Sequence, residues 1–341
     1  MRSLKFINQK KSQMLFDSTD FTIDAYHRLV MRRRIQLLKR VRKGINDEGY
    51  VFLFPYKGTG DIYMACMYLN DYISKQGIGD HALCVVGGGN VKICKLFGFK
   101  NVQSLPQEEM DDLLNLGMFI GFDEARIIVL HADPPQVKSG ISDRLRNYNG
   151  YNFKDMFAYG VFGPDVKSTL PEFEDCHDEV VEFFEENSLI PGKTVVISPY
   201  VNTLDRLPEW FWIELTARFV WGGFTVCTNC AGEEQPTFGS IRLDKPYSKI
   251  KSYMEYAGFF VSSRNGLCDV VSSFDCEKVM IYNPYLFWGD GRNIDYFDLR
   301  VMGLTDQVVN LEYKGVEFLE LMDNVLDTVI GIYESKERNI E

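Results

Sequence analysis

The sequence predicts an α/β protein built from two Rossmann-like domains that face a cleft. Short apolar runs of strand character alternate along the chain with amphipathic runs of helical character, a pattern typical of parallel sheets covered by helices on both faces. The alternation is interrupted over residues 163–192, which are rich in proline, glycine and acidic side chains, and then restarts. A chain of 341 residues also exceeds one hydrophobic core of ordinary size. Two domains are therefore expected.

The expected elements follow from this alternation. In the first half we expect helices over 20–43, 62–74 and 90–97, and strands over 50–56, 82–86 and 125–131. In the second half we expect strands over 194–198, 224–228, 259–262 and 278–282, and helices over 209–219, 249–256 and 266–273. The predicted divisions are an N-terminal domain (1–165), a linker with an acidic helix (166–192), a C-terminal domain (193–312), and a terminal helix (313–341) that packs back toward the first domain.

Composition excludes several classes of protein. Hydrophobic residues make up 45% of the chain and charged residues 25%, which is ordinary for a globular protein. Apolar runs stay well below the roughly 20 residues that span a bilayer. The polar start of the chain lacks a signal-peptide pattern, so we expect a cytoplasmic protein whose eight cysteines are reduced thiols. The pair Cys227 and Cys230 has C-x-x-C spacing but no second pair at zinc spacing, so we expect a strand end there and no metal site.

The net charge of −11 is unevenly distributed. Residues 1–43 carry twelve Lys or Arg against three Asp, a balance of +9, so the remaining chain sums to −20. Apolar residues recur at helical spacing in the same region, which predicts a basic amphipathic helix. Such a helix packs on its own domain, lies on an anionic membrane or holds a polyanionic acceptor, and the sequence leaves these three open. Nucleic acid is not expected as a partner, because the acidic remainder would repel phosphates.

A glycine turn with an acid follows the first predicted strand. The segment Lys57-Gly58-Thr59-Gly60-Asp61 lies between that strand and a helix, so it places a carboxylate at the carboxyl edge of a parallel sheet. Ligands of open α/β folds bind at that edge. The glycines allow a substrate to approach the backbone, and a helix N-terminus favours an ionised acid. The alternative is that Asp61 is only a helix-stabilising acid and that Lys57 is a surface lysine. His131, after a later strand, is a further candidate for acceptor contact or a plain loop residue.

A second group of polar residues follows two strands of the second half. Ser198 and Thr203 lie in the first of these loops, and Arg206 follows shortly after. The second loop contains the run Ser263-Arg264-Asn265-Gly266-Leu267 at the start of a helix. Hydroxyls, two arginines and a glycine-led helix N-terminus suit an anion. Arg206 and Arg264 are therefore candidates to neutralise a pyrophosphate, with the amides of Gly266 and Leu267, while Ser198, Thr203 and Asn265 are candidate donors to phosphate or ribose.

The order of these motifs resembles the heptosyltransferase-like glycosyltransferases of family 9, which have the two-domain GT-B fold. The resemblance covers roughly residues 50–285. In that family a glycine–Asp turn after the first strand supplies the base that deprotonates the acceptor, and Gly60-Asp61 stands at this place. The family's donor-binding loops correspond to Ser198-Pro199, Arg206 and the run from Ser263 to Leu267. The resemblance implies that the first domain holds the acceptor and the second the nucleotide sugar.

The chain departs from the family's pattern at two positions, and its long basic N-terminal helix before the first strand is also extra. Relatives usually have Asp-Ser/Thr-Gly followed by a histidine, whereas this chain has Arg264-Asn265-Gly266 and then Asp269. The nucleotide and sugar are therefore left open. The resemblance implies a metal-independent, inverting transfer of a sugar to a cell-surface glycan or lipid-linked acceptor, with no cofactor beyond the nucleotide-sugar substrate. It is compatible with a cytoplasmic protein that contacts the membrane surface through residues 20–43. A nucleotide-sugar epimerase and a non-catalytic binding protein of the same fold remain alternatives.

Overall fold

The computed structural model describes residues 21–131, 151–201, 206–284, 286–287, 291–313 and 317–340. They form two compact units, and each is built around a parallel sheet with helices. The first unit comprises residues 21–131 and Met156–Pro171, and the second comprises residues 151–155 together with the described residues from Glu172 onward. The predicted α/β class with two Rossmann-like sheets is therefore confirmed.

The first unit contains the predicted strand–helix alternation with four further elements that the sequence did not indicate. In chain order it holds α1 (Phe21–Val41), β1 (Tyr50–Phe54), α2 (Thr59–Lys75), β2 (His81–Val86), α3 (Gly88–Leu96), β3 (Val102–Leu105), α4 (Gln107–Ile120), α5 (Phe122–Ala125), β4 (Ile127–Val129) and a π-helix (Met156–Phe162). The four additions are β3, α4, α5 and the π-helix. The strands pair in the order β3-β2-β1-β4, all parallel. Strand β1 is the first strand of this sheet along the chain, and it pairs with β2 on one side and with β4 on the other.

The second unit repeats this arrangement with more strands. In chain order it holds α6 (Phe153–Asp155), α7 (His177–Glu186), β5 (Thr194–Ser198), α8 (Glu209–Trp221), β6 (Thr225–Asn229), β7 (Ile241–Leu243), α9 (Ile250–Ala257), β8 (Gly258–Ser263), α10 (Gly266–Val271), β9 (Glu277–Tyr282), β10 (Leu286–Phe287), β11 (Gly291–Arg292), α11 (Asn293–Phe297), β12 (Val308–Glu312) and α12 (Phe318–Ile340). The large sheet has the parallel order β12-β9-β8-β5-β6-β7, and β10 and β11 form a small antiparallel pair.

In each sheet the chain first adds strands on one side of the sheet's first strand and then crosses to its other side, a reversal of the strand order. The chain moves outward from β1 through β2 and β3 and returns to β1 on its other side with β4. In the second unit it moves from β5 through β6 and β7 and returns with β8. Loops that leave the carboxyl ends of the two strands at such a point diverge to opposite faces and leave a crevice, where open α/β sheets bind their ligands. The fold therefore indicates one candidate ligand site at the carboxyl ends of β1 and β4 and another at the carboxyl ends of β5 and β8.

The central strands are apolar because both faces of each sheet are covered. In β1, Val51–Phe54 are fully buried, and in β5 every residue is buried. The core of the first unit combines one face of its sheet with α1 and α4, while the core of the second combines its sheet with α8 and α12. Helix α12 contributes Leu321, Met322, Val325 and Val329 to that second core. The terminal helix, for which the sequence suggested docking on the first domain, thus packs its apolar face in the second unit.

The segment expected as a linker is hydrogen-bonded to the units. Thr169 donates its amide to the Met67 carbonyl at 2.7 Å in the first unit, and Glu174 donates its amide to the Ser248 carbonyl at 2.7 Å in the second. The acidic helix expected within this segment spans His177–Glu186. Ahead of this segment, Lys154 donates Nζ to the Met302 carbonyl at 2.9 Å within the second unit. The chain therefore visits the second unit once before it returns to the first at Met156.

Candidate functional site

Asp61 lies at the carboxyl edge of the first sheet, at the β1/β4 reversal. Helix α2 begins at Thr59 directly after the β1 loop, and Asp61 is the acid of its first turn. The N-cap residue, Gly58, has φ −75° and ψ 130°, a conformation open to any residue, and supplies no side-chain cap. A Cβ at Gly58 would overlap the Asp61 carboxylate, so the glycine provides the room that this carboxylate occupies. Gly60, the other glycine of the turn, is buried within the helix start.

Two aromatic rings lie at the same edge. Tyr56 follows β1 and His131 follows β4, and their rings stack with centroids 4.3 Å apart and planes inclined by 17°. Phe157 of the π-helix lies against Tyr56 with a centroid separation of 6.0 Å. Both Tyr56 and His131 are half-buried. The loops after the two strands of the reversal therefore meet through a stacked pair, which supports the suggestion that His131 belongs to the site around Asp61.

Asn90, which sequence reasoning treated as part of a simple turn, joins two loops of this edge. Its Nδ2 donates to the Val86 carbonyl at 2.9 Å and lies 3.3 Å from the Lys57 carbonyl. The side chain is buried, whereas the Lys57 side chain beside it is exposed. The β1 loop is thus held to the end of β2. A signal for this role existed in the sequence, because an asparagine that follows three glycines at a strand end has backbone carbonyls within reach.

The second predicted group also lies at a strand reversal, between β5 and β8. Ser198 ends β5 and is buried, and its carbonyl oxygen lies 3.2 Å from the Ser262 hydroxyl. That hydroxyl is also 2.7 Å from the Ser263 carbonyl. Ser263, at the end of β8, is 8% exposed. The structure therefore brings Ser198 and Ser263 to one edge, as predicted, but buries both side chains for the most part.

Asn265 is the cap of helix α10 rather than an open hydrogen-bond donor. Its Oδ1 accepts from the Leu267 amide at 2.9 Å and from the Cys268 amide at 3.4 Å. Its Nδ2 lies 3.3 Å from both the Tyr200 carbonyl and the Ser262 hydroxyl. The interpretation of the Leu267 amide as a phosphate donor is therefore corrected, since the cap already satisfies it. Gly266 begins the helix, and with six residues α10 offers only a short dipole.

Arg264 is the largest departure from the sequence prediction. The side chain is 4% exposed, and Nη2 and Nη1 lie 2.5 and 3.2 Å from the two carboxylate oxygens of Asp269. Nε donates to the Phe297 carbonyl at 3.0 Å, and Nη1 also donates to the Asn265 carbonyl. Burial alone lowers the pKa of Arg264, but the negative charge of Asp269 outweighs it and leaves the pKa raised. Because its charge and donors are engaged inside the protein, Arg264 is not the pyrophosphate clamp that the sequence suggested.

Arg206 keeps the properties that a phosphate ligand needs. It lies just before α8, and Nε donates to the Val201 carbonyl at 2.8 Å. The side chain is exposed, and within the described part of the chain its two terminal nitrogens have no hydrogen-bond partner. A guanidinium anchored at Nε and open at its other end can form a two-point contact with an anion. Thr203, the remaining predicted residue of this loop, lies outside the described residues.

Among the residues that the structure describes, no group of three or more His, Cys, Asp or Glu side chains is placed to hold a metal ion. No helix in the same residues is long and apolar enough to cross a bilayer. Cys227 lies in the middle of β6 and Cys230 directly follows its last residue, and both are buried.

Comparison with known proteins places the fold. No protein-family model matches the sequence, and no curated protein sequence matches it. Among solved structures, the E. coli ADP-heptose LPS heptosyltransferase II aligns with a TM-score of 0.55 at 13% identity, over 84% of this chain and 99% of that one. An E. coli heptosyltransferase bound to ADP aligns with a TM-score of 0.50 at 14% identity, over 83% and 99% of the two chains. The protein therefore has the two-domain GT-B fold of these heptosyltransferases.

Proposed function

We propose that this protein is a glycosyltransferase that moves a sugar from a nucleotide-diphosphate donor to a hydroxyl of a glycan or glycolipid acceptor. The observation that carries the proposal is the placement of a different chemical group at each of the two strand reversals. The first unit offers a carboxylate, Asp61, at the β1/β4 edge. The second offers an open guanidinium, Arg206, close to the β5/β8 edge. The similarity in fold to heptosyltransferases supports the same reading.

In this proposal Asp61 is the general base. It takes the proton of the acceptor hydroxyl as the oxygen forms a bond to the anomeric carbon of the donor sugar. The bond from that carbon to the diphosphate breaks on the opposite side, so the configuration inverts, and the electron pair leaves with the nucleoside diphosphate. The stacked pair of Tyr56 and His131 lies at the same edge as the base and orients the acceptor.

Arg206 stabilises the leaving diphosphate. Its exposed nitrogens supply positive charge to the phosphate oxygens as charge develops there. We propose that this guanidinium serves in place of a divalent ion. Arg264 and Asp269 support the loop from within and do not contact the phosphates. Because these two positions differ from the resembled family, the proposal does not extend to ADP-heptose as the donor, and the protein is expected to work in the cytoplasm on a cell-surface type of acceptor.

The donor is tested first, because it does not require the acceptor to be known. A thermal-shift panel would contain UDP, GDP, ADP, CMP and dTDP, each with and without magnesium. A nucleotide at about 100 times its dissociation constant adds roughly 2.7 kcal/mol of stability. We expect one nucleotide to stabilise the protein equally with and without magnesium. No response to any of the five would contradict a nucleotide-sugar transferase.

The base is tested with the donor so identified. Asp61→Asn should lower the rate of transfer to the acceptor at least 100-fold, because general-base catalysis raises a rate by about 10²–10⁴-fold. The nucleotide affinity of the variant should stay within a few-fold of the wild-type value. Asp178→Asn is the matched control, since Asp178 is also a first-turn acid, at the start of α7 in the second unit. If both variants keep full activity, Asp61 is only a helix-stabilising acid. Incubation with donor alone separates transfer from epimerisation, which needs no acceptor.

A further inference from the structure

Helix α1 is rich in Lys and Arg. The structure divides these cations into a set that contacts the rest of the unit and a set that faces outward. One face of the helix enters the first core through Met31, Leu37, Leu38 and Val41. A second face pairs with α4. There Arg33 lies 2.5 Å from Glu108 and 3.2 Å from Asp112, Arg34 lies 2.9 Å from Asp112, and Arg40 lies 2.5 Å from Glu109. These arginines are paired with acidic side chains of α4, and the pairs accompany the apolar face in packing the helix on its own domain.

Arg42, just after α1, also serves the fold. It is 7% exposed and donates to the carbonyls of Gly49, Asn46 and Asp47 at 2.7, 2.9 and 3.0 Å. These bonds close the turn between the helix and β1. Burial lowers the pKa of Arg42, and the nearby negative charge of Asp47 opposes this shift without cancelling it. Arg42 is therefore not available to an outside partner.

The remaining cations lie on the outer face of the helix. Arg32, Lys39 and Lys43 are exposed and form no ion pair with any residue that the structure describes. Leu29, Arg32, Gln36 and Lys39 are spaced three and four residues apart, so they fall on one side of the helix, and Lys43 lies in the turn directly after its end. We call these five positions, 29, 32, 36, 39 and 43, the outer stripe. Leu29 is 67% exposed, and Tyr26 at the flank of the stripe is 66% exposed.

The charge of the stripe selects its partner. The outer stripe is a local patch of positive charge on a chain whose remainder beyond residue 43 sums to −20, so it attracts an anionic surface at short range. A soluble polyanion would need only the cations. The exposed Leu29 and Tyr26 favour a bilayer over a soluble polyanion, because apolar side chains gain free energy at the boundary between headgroups and acyl chains. Basic residues near an anionic leaflet contribute about 1 kcal/mol each.

We propose that the outer stripe docks this protein on an anionic lipid bilayer, with Arg32, Lys39 and Lys43 against the headgroups and Leu29 inserted at their level. The contact is reversible, since one helical face with three cations and few apolar groups gives modest affinity. The inference concerns a surface of the first unit and does not depend on the proposed sugar transfer. If both hold, the docked protein would meet a lipid-linked acceptor in the plane of the membrane rather than in solution.

The test is sedimentation of the full-length protein with vesicles of phosphatidylcholine alone and with 30 mole per cent phosphatidylglycerol, a probe composition chosen as roughly that of an anionic leaflet. We expect binding to the anionic vesicles only, and loss of most of it when salt is raised from about 0.1 M to about 0.5 M. Lys39→Glu/Lys43→Glu should weaken binding at least tenfold. The matched control is Lys95→Glu/Lys100→Glu, which makes the same charge change at exposed lysines elsewhere in the unit.

Leu29→Ser tests the apolar part, with Leu319→Ser as control because Leu319 is exposed to a similar extent, 61%, on α12. We expect several-fold weaker binding for the first and no change for the second, with equal melting temperatures. Failure of the wild type to bind anionic vesicles would overturn the proposal. Equal loss in the two charge-reversal pairs would also overturn it, because the effect would then follow net charge. Binding to a soluble polyanion such as heparin without binding to vesicles would assign the stripe to that class of partner instead.

Discussion

Arg264 and Asp269 form a buried two-point ion pair, with Nη2 2.5 Å from Oδ1 and Nη1 3.2 Å from Oδ2. These are the two positions at which the chain departs from the family that it resembles. The structure shows that the departures belong together, because the cation introduced at one position is neutralised by the acid introduced at the other. Phe297 contributes as well, since its carbonyl accepts from Arg264 Nε and from the Tyr282 hydroxyl, each at 3.0 Å.

Breaking this pair should cost far more than breaking an exposed one. Asp269→Asn leaves a buried guanidinium without its countercharge, so we expect the free energy of unfolding to fall by about 3–5 kcal/mol. Asp323→Asn is the control, since Asp323 is 62% exposed and pairs with Arg218 at 2.5 Å. There we expect a loss below about 1 kcal/mol. Urea unfolding followed by circular dichroism measures both, and equal losses would contradict a special role for the buried pair.

The double substitution Arg264→Met/Asp269→Leu provides a second test of the same pair. It removes both charges and keeps apolar volume, so it should recover much of the stability lost in Asp269→Asn. A double variant as unstable as the single one would show that the hydrogen bonds to Phe297 and Asn265, rather than charge balance, dominate at this place.

Arg206 should matter for ligand binding and not for stability. Arg206→Ala removes an exposed guanidinium whose described contact is one bond to the Val201 carbonyl, so the melting temperature should shift little. Nucleotide affinity, measured by calorimetry with the nucleoside diphosphate that stabilises the wild type, should fall at least tenfold because charge-assisted contacts are lost. The nucleotide affinity of Arg206→Lys should lie between those of the wild type and Arg206→Ala. Arg338→Ala, with a 74% exposed arginine on α12, is the control, and an equal effect there would remove Arg206 from the donor site.

The ion pairs between α1 and α4 should differ in strength according to their exposure. The Asp112 side chain is 13% exposed and contacts both Arg33 and Arg34, while Glu108 is 75% exposed and contacts Arg33. We expect Asp112→Asn to lower the free energy of unfolding by about 1–2 kcal/mol and Glu108→Gln by less than about 0.5 kcal/mol. A higher salt concentration should change the loss of unfolding free energy in Asp112→Asn little, because the Asp112 contacts are shielded from solvent. Denaturant titrations of both variants decide the order.

Stability should decline in alkali through the buried thiols. Burial raises the pKa of Cys84, Cys227 and Cys276 from the ordinary value of 9.0 to about 12 in each case. Above pH 9 the unfolded chain loses these protons while the folded chain keeps them, so the folded state binds more protons and stability falls as pH rises toward 12. At pH 10 the loss is about 1.4 kcal/mol for each thiol.

Cys227 is the best thiol for testing this, because burial is the one cause of its raised pKa. In Cys227→Ala the fall in unfolding free energy between pH 8 and pH 10 should shrink by about 1.4 kcal/mol. The measurement is urea unfolding at both pH values and constant ionic strength. An unchanged fall would mean that the thiol titrates normally in the folded protein.

The sequence located Asp61 because every part of its signal is local. A buried strand, a glycine turn and a first-turn acid are adjacent in the chain, and parallel sheets place such turns at one edge. The two-domain division was visible for the same reason. Strands β3 and β12 were missed, since their partly polar runs lack the apolar signature of a buried strand. Helix α4 was also missed, although its first turn is acidic and its apolar residues lie at helical spacing.

The role of Arg264 was not predictable in the same way. A basic residue beside a glycine-led helix indicates an anion site, but whether its charge faces outward depends on Asp269 and on a carbonyl 33 residues away at Phe297. The basic helix presents the same difficulty. Which of its arginines remain available depends on Glu108, Glu109 and Asp112, about 70 residues later in the chain.

The contacts of Asn265 have a consequence for how a ligand would be received beside β5 and β8. One side chain links a carbonyl of the first loop, a hydroxyl of the second strand and two amides of the following helix. These atoms are already fixed relative to one another, so the protein loses little conformational entropy at this edge when a molecule binds against them. Recognition at this edge should therefore tolerate few alternative shapes.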